Sequence, residues 1–269
     1  MNYYRATFQY DGTDYCGFQW QEGMPTIQNE LNNALKKLVG GKITTLGASR
    51  TDTGVHSFEQ IVKISSEKPL HHSLVMHELN ATLPAQILCK EFSRCEGSFK
   101  PIVGVISKEY RYLFTNHLST DPSAHRFMAN NPYALNIDLM KQACDEICGK
   151  INFHNFCSTG SNVKSTEREI FICELSQLDP HTLFPDSKFF TFPSDLKECY
   201  QFRIVGNGFL KHMVRHLMSA IWMIGGERIS VDEFKRLLNG PLKKKRLWKV
   251  ASPRGLFLYK INFKTEIAL

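Results

Sequence analysis

Gly47-Ala48-Ser49-Arg50-Thr51-Asp52-Thr53-Gly54-Val55-His56 sets a cation, a carboxylate, hydroxyls and glycines between two strand-like runs, Ile43–Leu46 and Glu59–Ile64. Asp, Thr and Gly favour turns through local hydrogen bonding and tolerance of unusual φ, so the segment by itself reads as a tight link within a strand pair. Upstream, Tyr4–Tyr10 alternates as a strand and stops at the turn signal Asp11-Gly12. Thr26 then precedes Ile27, Leu31, Ala34, Leu35 and Leu38, which recur at helical spacing. Thr26 with Asn29 and Glu30 supplies a cap at the start of that helix, and Gly40-Gly41 stops it. Downstream, the pattern predicts a helix over Ser73–Asn80 and a strand over Ile87–Phe92. Strand, helix, strand, strand, helix, strand is the split βαβ plan of a ferredoxin-like unit.

The second half repeats this order loosely, without a repeat of the sequence itself. Lys108–Thr115 reads as a strand, Ile137–Cys148 as an amphipathic helix, and Glu169–Leu175 and Tyr200–Val205 as strands. A helix from Gly208 to about Ile224 and a last strand, Leu256–Phe263, complete the order. The fold class is therefore α+β, with ferredoxin-like halves over residues 1–105 and 106–269. The Pro- and Phe-rich stretch His181–Pro193 follows no period and is expected to be an inserted surface loop or hairpin.

Composition narrows the function classes. A hydrophobic fraction of 42% and a charged fraction of 22% over 269 residues exclude a disordered or fibrous chain. The formal charge of +7, from 33 basic and 26 acidic residues, is a moderate excess compatible with a polyanionic partner without requiring one. Lys243-Lys244-Lys245-Arg246 concentrates part of it; such runs are more often solvated surface than binding sites. Neither a secretory leader nor an apolar run of about 20 residues is visible, so a cytoplasmic protein with no membrane contact is expected. The eight cysteines are scattered, Cys144 and Cys148 lie four apart, and no Cys-x-x-Cys pair occurs. That spacing argues for free thiols and for no metal site. No Gly-rich phosphate loop is present, so no nucleotide cofactor is expected.

Seven segments, in order along almost the whole chain, resemble the tRNA pseudouridine synthase A (TruA) family. Arg50-Thr51-Asp52-Thr53-Gly54-Val55-His56 is similar to its Arg-Thr-Asp-Ala-Gly-Val-His motif. Tyr10–Gln19 resembles the opening segment, with Phe18 where Trp is usual, and Pro25-Thr26-Ile27-Gln28 and Asn80-Ala81-Thr82-Leu83-Pro84 resemble two further landmarks. Glu109-Tyr110-Arg111-Tyr112 is similar to the Tyr-x-Tyr strand, Gly208–Arg215 to the Phe-Leu-x-His-Met-Val-Arg helix, and Ala251–Leu258 to the closing segment.

The resemblance implies an RNA isomerase without a cofactor, which breaks the N1–C1′ bond of uridine and rejoins the base through C5. It implies that Asp52 is the catalytic carboxylate. A carboxylate can attack or stabilise an electron-poor anomeric carbon, or take the 2′ proton to give a glycal; both routes stay open. Tyr110 takes the place of the family's base-stacking aromatic, Arg215 that of the arginine paired with the carboxylate, and Arg50 that of the residue filling the space of a flipped base. Their alternative roles are a strand tyrosine, an exposed helix arginine and a salt bridge within the turn. Leu256 or Leu258 provides the apolar floor. The family further implies one continuous antiparallel sheet with helices packed on it, a central basic cleft, a homodimer, and a tRNA substrate modified at positions 38–40 of the anticodon arm.

Some positions depart from the family pattern. Phe99-Lys100-Pro101-Ile102 stands where Phe-His-Ala-Arg is common, moving a cationic contact to Lys100 or Lys108 or removing it. Ser49 replaces a usual glycine. A synthase with another RNA target and a non-catalytic tRNA-binding or tRNA-folding protein are the alternatives.

Overall fold

A computed structural model describes residues 1–70, 72–116, 125–131, 133–160, 163–184, 187, 189–193, 196, 199–240 and 248–264. The fold is α+β, in two compact units: Met1–Ile106 with the strand from Phe257, and Ser107–Leu256.

The first unit begins with β1 (Asn2–Tyr10), α1 (Ile27–Val39), β2 (Ile43–Gly47), β3 (His56–Ser66), α2 (His72–Thr82) and β4 (Ile87–Arg94). Thr26 caps α1, its hydroxyl accepting the Asn29 N–H at 3.3 Å, and Gly40 ends the helix at φ 62°. Strand β1 lies antiparallel to both β3 and β4, and β2 runs antiparallel along the end of β3. Alternation along β1 sends Tyr4, Ala6, Phe8 and Tyr10 into one core with Ile27, Leu31 and Leu35 of α1 and Leu79 of α2. Burying one such aliphatic or aromatic side chain stabilises by roughly 1.5–3 kcal/mol.

The second unit comprises β5 (Val105–Thr115), β6 (Ala129–Asn130), α3 (Ile137–Asp145), β7 (Gly149–Asn152), β8 (Glu167–Leu178), α4 (Pro180–Leu183), β9 (Cys199–Gly206), α5 (Met213–Gly225) and α6 (Val231–Asn239). β9 pairs antiparallel with β5 and β8, and β7 antiparallel with β8. Helix α3 ends three residues before the expected Cys148, and Gly149, at φ 100°, turns the chain into β7. Residues 208–212 are not helical: His212 sits at φ 60° and α5 starts only at Met213. Helix α6 is absent from the sequence-based expectation, although Ser230-Val231-Asp232-Glu233 has capping-box spacing and the Ser230 hydroxyl accepts the Glu233 N–H at 3.1 Å.

Three further expectations differ from the structure. The final strand, β10 (Leu256–Phe263), groups with the first unit because it runs parallel to the start of β3, whereas a division at 105/106 puts it in the second half. With β6 also parallel to β5, the strand pairing is mixed rather than purely antiparallel. The stretch His181–Pro193 is also more than a surface loop. It starts within α4, and Phe184 and Phe190 are buried, their rings 4.9 Å apart, with Phe190 lying 5.3 Å from Phe127.

Candidate active site

The link between β2 and β3 is locked on both flanks. Gln60, fully buried on β3, accepts the Ser49 N–H at 3.2 Å and donates to the Ser49 carbonyl at 2.6 Å. On the other flank, the Thr51 carbonyl accepts the Phe18 N–H at 3.1 Å, and the Thr51 hydroxyl lies 2.8 Å from that of Tyr10. Gly17, at φ 89°, lets the two segments approach: a Cβ there would stand 2.6 Å from the Thr51 carbonyl oxygen. Beyond the apex, Val55 N–H donates to the Asp52 carbonyl at 3.1 Å and Gly54 N–H to the Tyr15 carbonyl at 3.2 Å. Ser49, Thr51 and Val55 are buried, Asp52 is half-buried and Arg50 is exposed. A polar turn thus presents one carboxylate on a rigid base.

His56, the last residue of the motif, joins it to the opening segment. Its Nδ1 lies 3.1 Å from Asp11 Oδ1 and 3.2 Å from the Gly12 nitrogen. One nitrogen cannot donate to the first and accept from the second, so the two contacts require different protonation of the ring. Burial opposes ionisation of Asp11, but the His56 hydrogen bond, the Thr13 hydroxyl, the His56 charge and the Thr13 N–H outweigh it. They hold the carboxyl well below the usual range. The His56 ring stacks on Phe257 at 4.8 Å, the two being paired across β3 and β10. Leu258 is the next residue in that register, fully buried, its carbonyl accepting the Ser57 hydroxyl at 3.3 Å. Of the expected residues, Arg50, Asp52 and Leu258 therefore belong to the first unit.

Tyr110, Arg215 and Leu256 belong to the second. Tyr110 is buried on β5 and meets the Phe209 ring edge-on at 5.0 Å. Arg215, half-buried on the first turn of α5, donates from Nε to the Ala251 carbonyl at 2.7 Å. Tyr112 donates its hydroxyl to the neighbouring Ser252 carbonyl at 2.8 Å. The closing segment is therefore fastened to α5 and β5 by bonds from two motif residues. Where the family pattern is broken, Phe99 is buried against Phe263 while Lys100 is exposed; Lys108 is half-buried.

Sequence reasoning passed over Gln60 and the pairing of Asp11 with His56, although Asp11 and His56 both lie in recognised segments. It also missed a cluster on the other face of β5. There Glu109 accepts from Arg111 Nε at 2.7 Å and Arg203 Nε at 2.9 Å, and Arg203 Nη1 reaches Glu174 at 3.0 Å. The run Lys243–Arg246 lies outside the described residues. Among the described residues, no three His, Cys, Asp or Glu side chains are grouped to hold a metal ion, and no helix is long and apolar enough to cross a membrane.

Comparison with known proteins bears on this geometry. Residues 143–264 match a family described as tRNA pseudouridine synthase. The chain is 31% identical over 265 residues to tRNA pseudouridine synthase A of Listeria innocua, covering 98% of this chain and 100% of that one. It is 28% identical over 266 residues to the protein of the same name from Syntrophomonas wolfei, covering 99% of each. For that of a Thermoanaerobacter species the identity is 30% over 255 residues, covering 95% of this chain and 97% of the other.

Proposed function

The chain belongs to the tRNA pseudouridine synthase A family, and we propose that it isomerises uridine to pseudouridine in the anticodon arm of tRNA, at positions 38–40, with Asp52 as its catalytic carboxylate. The observation that carries this assignment is the Asp52 turn: a half-buried carboxylate that follows the buried Thr51, in a turn held by hydrogen bonds on both flanks. Such preorganisation suits a group that must meet a reacting atom within a fraction of an ångström.

Asp52 acts at the ribose. It either attacks C1′ as the N1–C1′ bond breaks and is displaced when C5 bonds to C1′, or removes the C2′ proton to give a glycal that regains a proton at C2′ as C5 bonds to C1′. In both cases C5 loses its proton and N1 gains one, so the product is an isomer. No electrons or group donors enter. Tyr110 stacks on the detached uracil, an interaction worth roughly 1–3 kcal/mol per base, and keeps it in place while it turns. Arg215 offsets the cost of an ionised Asp52 once the base excludes water. Arg50, exposed beside Asp52, fills the gap left by the flipped nucleotide. Leu258 packs beneath the base. The enzyme works in the cytoplasm as a homodimer, for which light scattering is the check.

The test is to incubate the purified protein with unmodified tRNA and map pseudouridine. Wild type forms it at positions 38–40, while Asp52→Ala binds the same tRNA without modifying it. If both bind and neither modifies, the catalytic role is excluded. The departure at Phe99–Ile102 favours a second reading, a synthase with a different RNA target. Pseudouridine mapped elsewhere in total RNA decides for it.

A further inference from the structure

Residues two apart on a strand share a face, so Lys108 and Tyr110 project from the same side of β5. Lys108 is paired in register with Gly206 of β9, and Gly206 with Ile170 of β8. Arg168, two residues before Ile170, is carried on that face as well. Between the two cations stands a residue without a side chain. A Cβ on Gly206 would lie 2.7 Å from Ile170 Cδ1 and 2.8 Å from the Glu169 carbonyl. Arg168 runs along Gly208, its Nε 3.5 Å from where a Cβ would stand. The next residue, Phe209, is the one that meets Tyr110. Tyr110, Phe209, Gly208, Arg168 and Lys108 therefore form one continuous patch within the second unit.

The charges in this patch work against each other. Burial, then the Arg168 guanidinium, push the Lys108 ammonium down to about 8. Burial lowers Arg168 too, partly offset by Cys157. Ionisable groups under such opposed influences concentrate at functional sites. An anion beside them offsets the repulsion that Arg168 exerts on the Lys108 ammonium. Arg168 is oriented for this by Nη1 bonds to the Ser165 carbonyl at 2.9 Å and the Glu167 carbonyl at 2.6 Å. Glu109, Arg111, Arg203 and Glu174 form their ion pairs with one another on the opposite face of the same strands.

We propose that Lys108 and Arg168 bind a backbone phosphodiester of the RNA beside the nucleotide whose base Tyr110 stacks, which rests on the reading of Tyr110 given above. A guanidinium fork and an ammonium together suit the two non-bridging oxygens of one phosphate. Both residues position the substrate and neither touches the bonds that change.

The experiment titrates an unmodified tRNA transcript from roughly 50 to 300 mM salt against wild type, Lys108→Gln, Arg168→Gln, Lys108→Arg and the surface control Lys141→Gln. Each Gln variant at the proposed site weakens binding about 5–20-fold at low salt and flattens the slope of log affinity against log salt by about 0.7–0.9. The loss falls on KM rather than kcat. Lys108→Arg keeps the wild-type slope, as does Lys141→Gln. Wild-type slopes in both site variants, with circular dichroism unchanged, overturn the proposal. Lys108→Arg keeps the charge and supplies an independent readout should a Gln variant unfold. As pH rises above about 8, wild-type affinity drops as the ammonium deprotonates, while Lys108→Arg holds its affinity; identical alkaline profiles overturn the role of Lys108. Failure of the enzymatic reading looks different: no RNA is modified, yet the salt slopes still separate the variants.

Discussion

Gln60 closes two hydrogen bonds on the main chain of Ser49, accepting its N–H at 3.2 Å and donating to its carbonyl at 2.6 Å, three residues before the carboxylate Asp52. Both residues are buried, so water cannot replace either bond. Gln60→Leu leaves a donor and an acceptor unpaired at roughly 1–3 kcal/mol each, and should lower unfolding stability by about 2–4 kcal/mol. Because a misplacement of about 1 Å can cost ~10²-fold, single-turnover rates should fall by at least tenfold. Urea unfolding that shows a loss below about 1 kcal/mol rules out this role for Gln60.

Acid stability should depend on Asp11. An unfolded aspartate titrates near ~3.9, and in the folded protein His56 and Thr13 outweigh burial and hold the carboxyl lower. A carboxyl depressed in the folded state contributes stability that is present above its unfolded value and is lost as pH falls through the folded one. Wild type should therefore lose stability steeply from about pH 5 downward, while Asp11→Asn starts lower at neutral pH and declines less. Urea midpoints measured across that window check this; parallel curves reject it.

The carboxylate of Glu109 lies between Arg111 and Arg203, and burial, which opposes ionisation, is outweighed by these two, leaving its titration below the usual range. Glu109→Gln should cost about 2 kcal/mol, less than the ~3–5 of a fully buried pair because Arg203 is partly exposed. Glu174→Gln, at a half-exposed end of the network, should cost less than about 1 kcal/mol. A double-mutant cycle of Glu109 and Arg203 by urea unfolding should return a coupling on the order of 1 kcal/mol; a coupling of zero disproves the pairing in solution.

At Tyr110 the ring matters more than the hydroxyl for holding a base. Tyr110→Phe should keep single-turnover pseudouridine formation within about tenfold of wild type. Tyr110→Leu, losing a stack of roughly 1–3 kcal/mol, should fall by about 5–150-fold. Equal rates for the two variants exclude stacking as its contribution.

Local signals were legible where they act through neighbours in sequence. The Thr26 cap and Gly40 stop of α1 appear where the spacing places them, and β10 spans Leu256–Phe263 as read. Boundaries failed where a remote or conformational constraint intervened. His212 at φ 60° delays α5, a conformation that Gly208-Phe209-Leu210-Lys211-His212 does not announce. Phe184 and Phe190 read as loop residues in sequence, yet Phe190 packs on Phe184 and on Phe127, which is remote in sequence.

Sequence alone determined the α+β class, the order of the main elements though not β6, β7, α4 or α6, the family, and the candidates Asp52, Tyr110 and Arg215, because periodicity, caps and motif order are written in adjacent residues. Tertiary structure alone decided that the last strand joins the first unit, that Gln60 locks Ser49, and that Lys108 and Arg168 share a face with Tyr110. Those facts depend on strand register and on hydrogen bonds across turns, and register places side chains together that the linear chain keeps far apart.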